Sequence, residues 1–141
     1  MILTAIANKI RSTTTLANSL GTFDYGSGSE AAIFIRAAND NAPSPRIVLN
    51  ESGNNRYSTL DHRGWSTRVG IRVEGDKLET DDTLRTISWL VTTTFDECIL
   101  TLNDYFDIGV YAESPQQLNA VLDFPAYIVF VDVVVLQKEE K

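Results

Sequence analysis

Residues 65–74, WSTRVGIRVE, decide how this chain folds. Trp65, Thr67, Val69, Ile71 and Val73 share one face, and Ser66, Arg68, Gly70, Arg72 and Glu74 share the other. A period of two with one apolar side reads as a strand, one face on a core and the other wet or at an interface. Such a strand needs paired neighbours and a layer over its apolar side, so the flanking sequence is read for both.

Directly downstream comes a burst of acid: Glu74, Asp76, Glu79, Asp81 and Asp82. An EF-hand loop would need a Gly at its sixth position and a Glu at its twelfth, and the spacing here supplies neither. No His or Cys accompanies the acids, which argues against a transition-metal site. The burst separates a strand from a helical pattern, and that position explains it. Thr80 is placed to act as N-cap, and Asp81 and Asp82 fall in the first helical turn. There each charge meets the positive end of the helix dipole, worth about 0.3–1 kcal/mol.

Leu84, Ile87, Val91, Phe95, Cys98 and Leu102 then recur at spacings of three and four, which predicts one helix over 84–102. The alternation of Ile87, Trp89 and Val91 and the β-branched run Thr92–Thr94 compete for a strand, but the helical period holds over the whole stretch. Residues 105–111, YFDIGVY, alternate as a strand. Ser114-Pro115 reads as the start of a short helix carrying Leu118, Val121 and Leu122, stopped by Pro125. Residues 126–136, AYIVFVDVVVL, are apolar on both faces and predict a central strand covered on both sides, followed by a solvated KEEK tail. Asp132 interrupts it, and an acid there is expected to face an Arg or the chain end.

Upstream, Ile2, Leu3, Ile6 and Ile10 form a helical stripe; Ser12–Thr15 breaks it, and TTLANSLG adds a short helical turn closed by Gly21. TFDYGSGSE reads as a flexible connector, AAIFIRA (31–37) as a strand, NDNAPSP as a break and RIVLN (46–50) as a second strand. ESGNNRYSTLDHRG (51–64) has no period and is expected to be a long loop. The order predicts a single α+β domain over residues 1–141: a mainly antiparallel sheet of four to five strands packed against helices, with a long inter-strand loop.

At 141 residues, with 43% hydrophobic and 22% charged residues, the composition is that of a globular domain. No apolar run reaches the ~20 residues of a membrane-spanning helix. The first residues, MILTAIANKIR, lack the basic leader and cleavage pattern of a secretory signal. One cysteine excludes an internal disulfide and suits a reducing compartment. The expectation is a soluble intracellular domain without a membrane partner. Charge divides unevenly. Residues 1–73 hold eight Lys/Arg against five Asp/Glu, and residues 74–141 hold four against fourteen, giving the net −7. Net acid disfavours wrapping nucleic acid, but a basic half and an acidic half suit head-to-tail pairing of copies. If the halves mix in three dimensions, that asymmetry carries no meaning.

Catalytic chemistry has little support. His62 is the only histidine, with Asp61, Tyr57 and Arg63 nearby, but a triad needs an activated Ser or Cys, and Cys98 lies on an apolar stripe. GxSxG, HExxH, CxxC and a phosphate-binding Gly loop are all missing. No cofactor, metal or catalytic residue is assigned. Arg56, Tyr57, His62, Arg63 and Trp65 instead have the composition of a partner-contact surface, since Arg, Tyr and Trp dominate interface hot spots; the alternative is an ordinary polar loop. Arg68, Arg72, Glu79, Asp81 and Asp82 are the candidate charges for a subunit interface or a lumen.

In order, the N-terminal helix with TTTLANSLG, the strand AIFIRAANDNAPSP leading into RIVLN, WSTRVGIRVEG before the acid-capped helix, and the final apolar strand resemble the tail terminator (tail completion) proteins of long-tailed bacteriophages. The resemblance is one of order and pattern over most of the chain, without a short invariant motif. It implies a non-enzymatic virion protein, made in the host cytoplasm, that assembles as a homo-hexameric ring. The ring would cap the tail tube, stop its growth and join the tail to the neck. Implied partners are the protein itself, the major tail tube protein, a head-completion or neck protein, and genomic DNA passing the lumen without specific binding. Two alternatives stay open: a head-side neck or connector protein, and a small ligand-binding domain or enzyme using residues 51–64.

Overall fold

The computed structural model describes residues 2–26, 28–38, 42–58, 62–76, 81–118 and 126–140. Its elements run α1 (Ile2–Ser12), α2 (Thr14–Asn18), β1 (Thr22–Asp24), β2 (Ser29–Ala31), β3 (Ile33–Ile35), β4 (Arg46–Ser58), β5 (His62–Glu74), α3 (Asp81–Phe95), β6 (Tyr105–Ala112), β7 (Gln116–Gln117) and β8 (Ala126–Glu140). The main sheet has the order β3-β4-β5-β8-β6, with β7 added on β8. All its pairings are antiparallel except β3 with β4. The α+β expectation holds.

The decisive strand is β5. Its apolar face, Val69, Ile71 and Val73, is fully buried. The same face of β8 supplies Val129, Val131, Val133 and Val135, and β4 supplies Ile47 and Leu49. Helical stripes close over them: Leu3, Ile6 and Ile10 of α1, Leu16 of α2, and Leu84, Ile87, Val91 and Phe95 of α3. Burial of a side chain of this size is worth about 1.5–3 kcal/mol, so this layer carries the stability of the domain. A second, small cluster lies on the opposite face at the β3 end, where Ala32, Phe34 and Val48 are covered by Phe23, Ala38 and Ala42.

Several expectations are corrected. Residues 51–64 are mostly not loop: β4 runs to Ser58 and β5 starts at His62, so the segment forms most of a hairpin. Its side chains carry no apolar period because residues 51–56 are exposed; backbone pairing with β5 sustains the ladder, and Ser52 Oγ donating to Arg68 O and Thr67 Oγ1 donating to Asn54 Oδ1 add to it. α3 ends at Phe95 rather than at Leu102. Glu97 takes a left-handed φ of 58° and turns the chain toward β6, while Leu100 and Leu102 stay buried without being helical. The apolar stripe outlasts the helix because the turn also packs on the core.

After Pro115 the chain pairs as β7 with Tyr127 and Ile128 instead of starting a helix; the rest of that expected helix, 119–125, lies outside the described residues. The connector at 22–30 contains strands β1 and β2, which form a separate hairpin. The strand expected over 31–37 is split, with Ala31 ending β2 and β3 covering 33–35. Gly21 does not cap α2, whose C-cap is Ser19. A Cβ at Gly21 would come within 2.8 Å of Pro43, so a close chain approach selects glycine there. β8 extends to Glu140, so residues 138–140 of the tail expected to be solvated are strand, with Lys138 exposed. Only one face of β8 is fully buried: Ile128, Phe130, Val134 and Leu136 on the other are half-buried.

Candidate functional site

The candidate contact residues lie on the far half of the β4–β5 hairpin. Arg56 stands opposite Trp65, Tyr57 opposite Gly64, and Arg63 opposite Ser58, while His62 is paired with Glu140 of β8. Hairpin register therefore gathers residues that a loop would have left scattered. Arg56 and Arg63 are exposed. Trp65 is half-buried and meets Tyr105 edge to face, centroids 5.9 Å apart at 81°. That ring fastens the hairpin to the start of β6. Asp61, the neighbour that a catalytic His62 would have used, lies outside the described residues.

Arg68 and Arg72 share the face of β5 opposite the apolar core, each held by acids of its own chain. Arg68 reaches Asp132 at 3.2 Å and also pairs with Glu113, and its guanidinium lies 4.5 Å above the Phe130 ring. Arg72 donates to Glu74 at 2.7 Å, and the other Glu74 oxygen accepts from Arg46 at 2.7 Å. Burial opposes the Arg46 charge, but its hydrogen bonds to Glu74 and Asp76 outweigh burial and hold the guanidinium above its usual range. Tyr111, paired with Asp132 across β6 and β8, is half-exposed, as is Phe106. A Cβ at Gly109 would come within 2.6 Å of the Tyr111 hydroxyl, so the ring lies across that glycine.

Asp81 and Asp82 occupy the first turn of α3 as expected. Both pair with Arg85, at 2.6 and 3.4 Å. Asp81 also accepts from the Tyr127 hydroxyl at 2.7 Å, which ties the helix start to β8. The phenol is pushed above its ordinary range by burial and then by its hydrogen bond to Asp81. Tyr127 escaped the sequence reading because its partner is 46 residues away. Glu79 and Thr80 lie outside the described residues. The acid burst thus splits in space: Glu74 and Asp76 brace Arg46, and Asp81 and Asp82 start a helix.

Among the described residues no group of three His, Cys, Asp or Glu is placed to hold a metal ion, and no helix is long and apolar enough to cross a membrane. Three open concavities, of about 540, 350 and 280 Å³, are lined by groups such as Lys9 and Ile99, Arg11 and Tyr25, and Arg85 and Trp89. None of these three gathers an acid–base set.

The fold has a solved counterpart. It is similar to a chain of the structure described as "Virion of native gene transfer agent (GTA) particle", with a TM-score of 0.71 and 14% identity. The likeness covers 95% of this chain and 93% of that one, so the two share a fold from end to end. No protein-family model and no curated protein matches the sequence.

Proposed function

We propose that this chain is a structural virion protein of the tail terminator kind. It acts without catalysis or cofactor, forming a ring, a hexamer by the family resemblance, that caps the tail tube and joins it to the neck. The observation that carries this is the end-to-end fold likeness to a chain of a virion particle. It accords with the order of elements that resembles tail terminators. The internal neutralisation of Arg68 and Arg72 gives support, because a guanidinium already held by acids is a poor phosphate ligand and suits a subunit contact. The overall charge of −7 favours letting DNA slide past the ring.

Native mass spectrometry of the protein, alone and with tail tube protein, tests the reading. A closed oligomer that binds tube ends is expected, together with overlong tails in particles assembled without it. A monomer at every concentration, with or without tube protein, would sink it. Binding to portal rings in preference to tube ends would identify a neck protein instead.

A further inference from the structure

Sheet edges are templates for pairing with another chain, and folded proteins blunt the ones they do not use. At the β3 edge the Tyr25 hydroxyl accepts from Ile33 N at 2.9 Å and lies 3.0 Å from Ile33 O, filling both places. The far half of β4 is different. β3 covers only Ile47–Leu49, and a bulge follows between Glu51 and Gly53. Beyond it, β4 is paired with β5 alone among the described residues, and residues 51–56 are exposed.

Strand alternation says which backbone groups are open there. Ile47 N donates to Ala32 O at 2.9 Å, and Leu49 O accepts from Arg36 N at 2.8 Å, so the odd residues at this end of β4 face β3. Val48 and Asn50 therefore face β5, meeting Arg72 and Gly70. The extra residue of the bulge lies on β4, while β5 pairs with β8 without a shift from Gly64 to Glu74. Alternation on β5 thus carries on to Ser66, which meets Asn55. Asn55 directs its N–H and C=O at β5. Asn54 and Arg56 direct theirs outward, where no backbone group among the described residues meets them.

Charge selects the partner. Arg46, Arg68, Arg72 and Arg85 each hold an acid of their own chain. Arg56 and Arg63 are exposed and, among the described residues, hold none. Register sets these two on one face, diagonal across β4 and β5. A second copy of the same edge is a poor occupant. The register that joins Asn54 and Arg56 of one copy to Arg56 and Asn54 of another sets the two Arg56 side chains diagonal, like charge against like. An acidic strand meets the opposite condition. We propose that the Asn54–Arg56 edge takes up an extended acidic segment of a protein other than itself, which adds a strand to the sheet and sets a carboxylate opposite Arg56. Arg56 then excludes its own kind and admits the partner. The surface stands apart from the ring reading, which self-association tests.

Amide hydrogen exchange of the wild-type protein, read residue by residue by NMR, tests it. The probe is the peptide acetyl-Thr-Glu-Val-Glu-Val-Glu-Thr-amide, and the control is the same peptide with Lys for Glu. Before addition, the Asn54 and Arg56 amides should exchange fast and the Asn55 amide slowly. The acidic peptide should slow Asn54 and Arg56 and leave Asn55 as it was, binding about tenfold or more tightly than the Lys peptide. Arg56→Glu should reverse that preference, with circular dichroism verifying its fold; should the variant unfold, the two peptides on wild type decide alone. No slowing at Asn54 and Arg56, or equal slowing by both peptides, overturns the proposal. A folded Arg56→Glu variant that keeps the wild-type preference overturns it too. So does protection that grows with protein concentration in the absence of peptide, which would give the edge to a second copy. Native mass spectrometry reads the ring separately, so either reading can fail without the other.

Discussion

Arg68 and Asp132, 64 residues apart in sequence, face each other directly across β5 and β8, with Arg68 Nη1 at 3.3 and 3.2 Å from the two carboxylate oxygens. An acid in the middle of the most apolar strand is expensive without a partner. Register supplies one, and the Phe130 ring beneath the guanidinium adds a second attraction.

Both side chains of that pair are about one-third exposed, so solvent screens it. Asp132→Ala should lower stability by about 1 kcal/mol. A double-mutant cycle with Arg68→Met in urea denaturation should show coupling of about 0.5–1 kcal/mol. Coupling indistinguishable from zero would remove the pair from any account of stability.

Tyr127→Phe deletes the hydroxyl that joins β8 to Asp81 at the start of α3, at a cost of about 1–2 kcal/mol. A pH dependence accompanies it. The folded state raises this phenol, so its contribution is complete below the unfolded value of 10.0 and is lost as pH rises through the folded value. Alkaline denaturation compared between wild type and Tyr127→Phe should show the difference shrinking only above about pH 10. A difference that shrinks below pH 9 would contradict the assignment.

Ile71 is fully buried under the helices, and Ile71→Ala should cost about 2–5 kcal/mol. Glu51→Ala on the exposed hairpin should stay within about 0.5 kcal/mol. Thermal melts of the two variants compare them directly, and equal losses would mean that the core has been misplaced.

Glu97 takes its left-handed φ of 58° where the chain leaves α3 for β6. Glu97→Val should destabilise by about 1–2 kcal/mol, because a β-branched side chain clashes in that conformation. Glu97→Gly should leave stability unchanged or raise it by up to about 1 kcal/mol. Chemical denaturation ranking valine at or above glycine would contradict the turn.

Elements that bury a stripe were legible in the sequence. The periods in α1, β5 and β6, and the first four turns of α3, are written in residue types because each must place apolar groups against a core. The hairpin at 51–64 was illegible for the opposite reason. Residues 51–56 are exposed, so their pairing rests largely on backbone groups that every residue possesses. The end of α3 was hidden because Leu100 and Leu102 keep the apolar stripe going after the helix has turned away. The candidate contact residues were picked out by type, but their grouping on one hairpin depended on register.

By itself, the sequence determined the α+β class, the apolar face of the decisive strand and the acidic start of α3, since burial and the helix dipole act on neighbours a few residues apart. Only the tertiary structure decided that Asp132 lies opposite Arg68, that Tyr127 reaches Asp81, and that Asn54 and Arg56 direct backbone groups outward. Strand register brings together residues far apart in the chain, and no local period records which of them will meet.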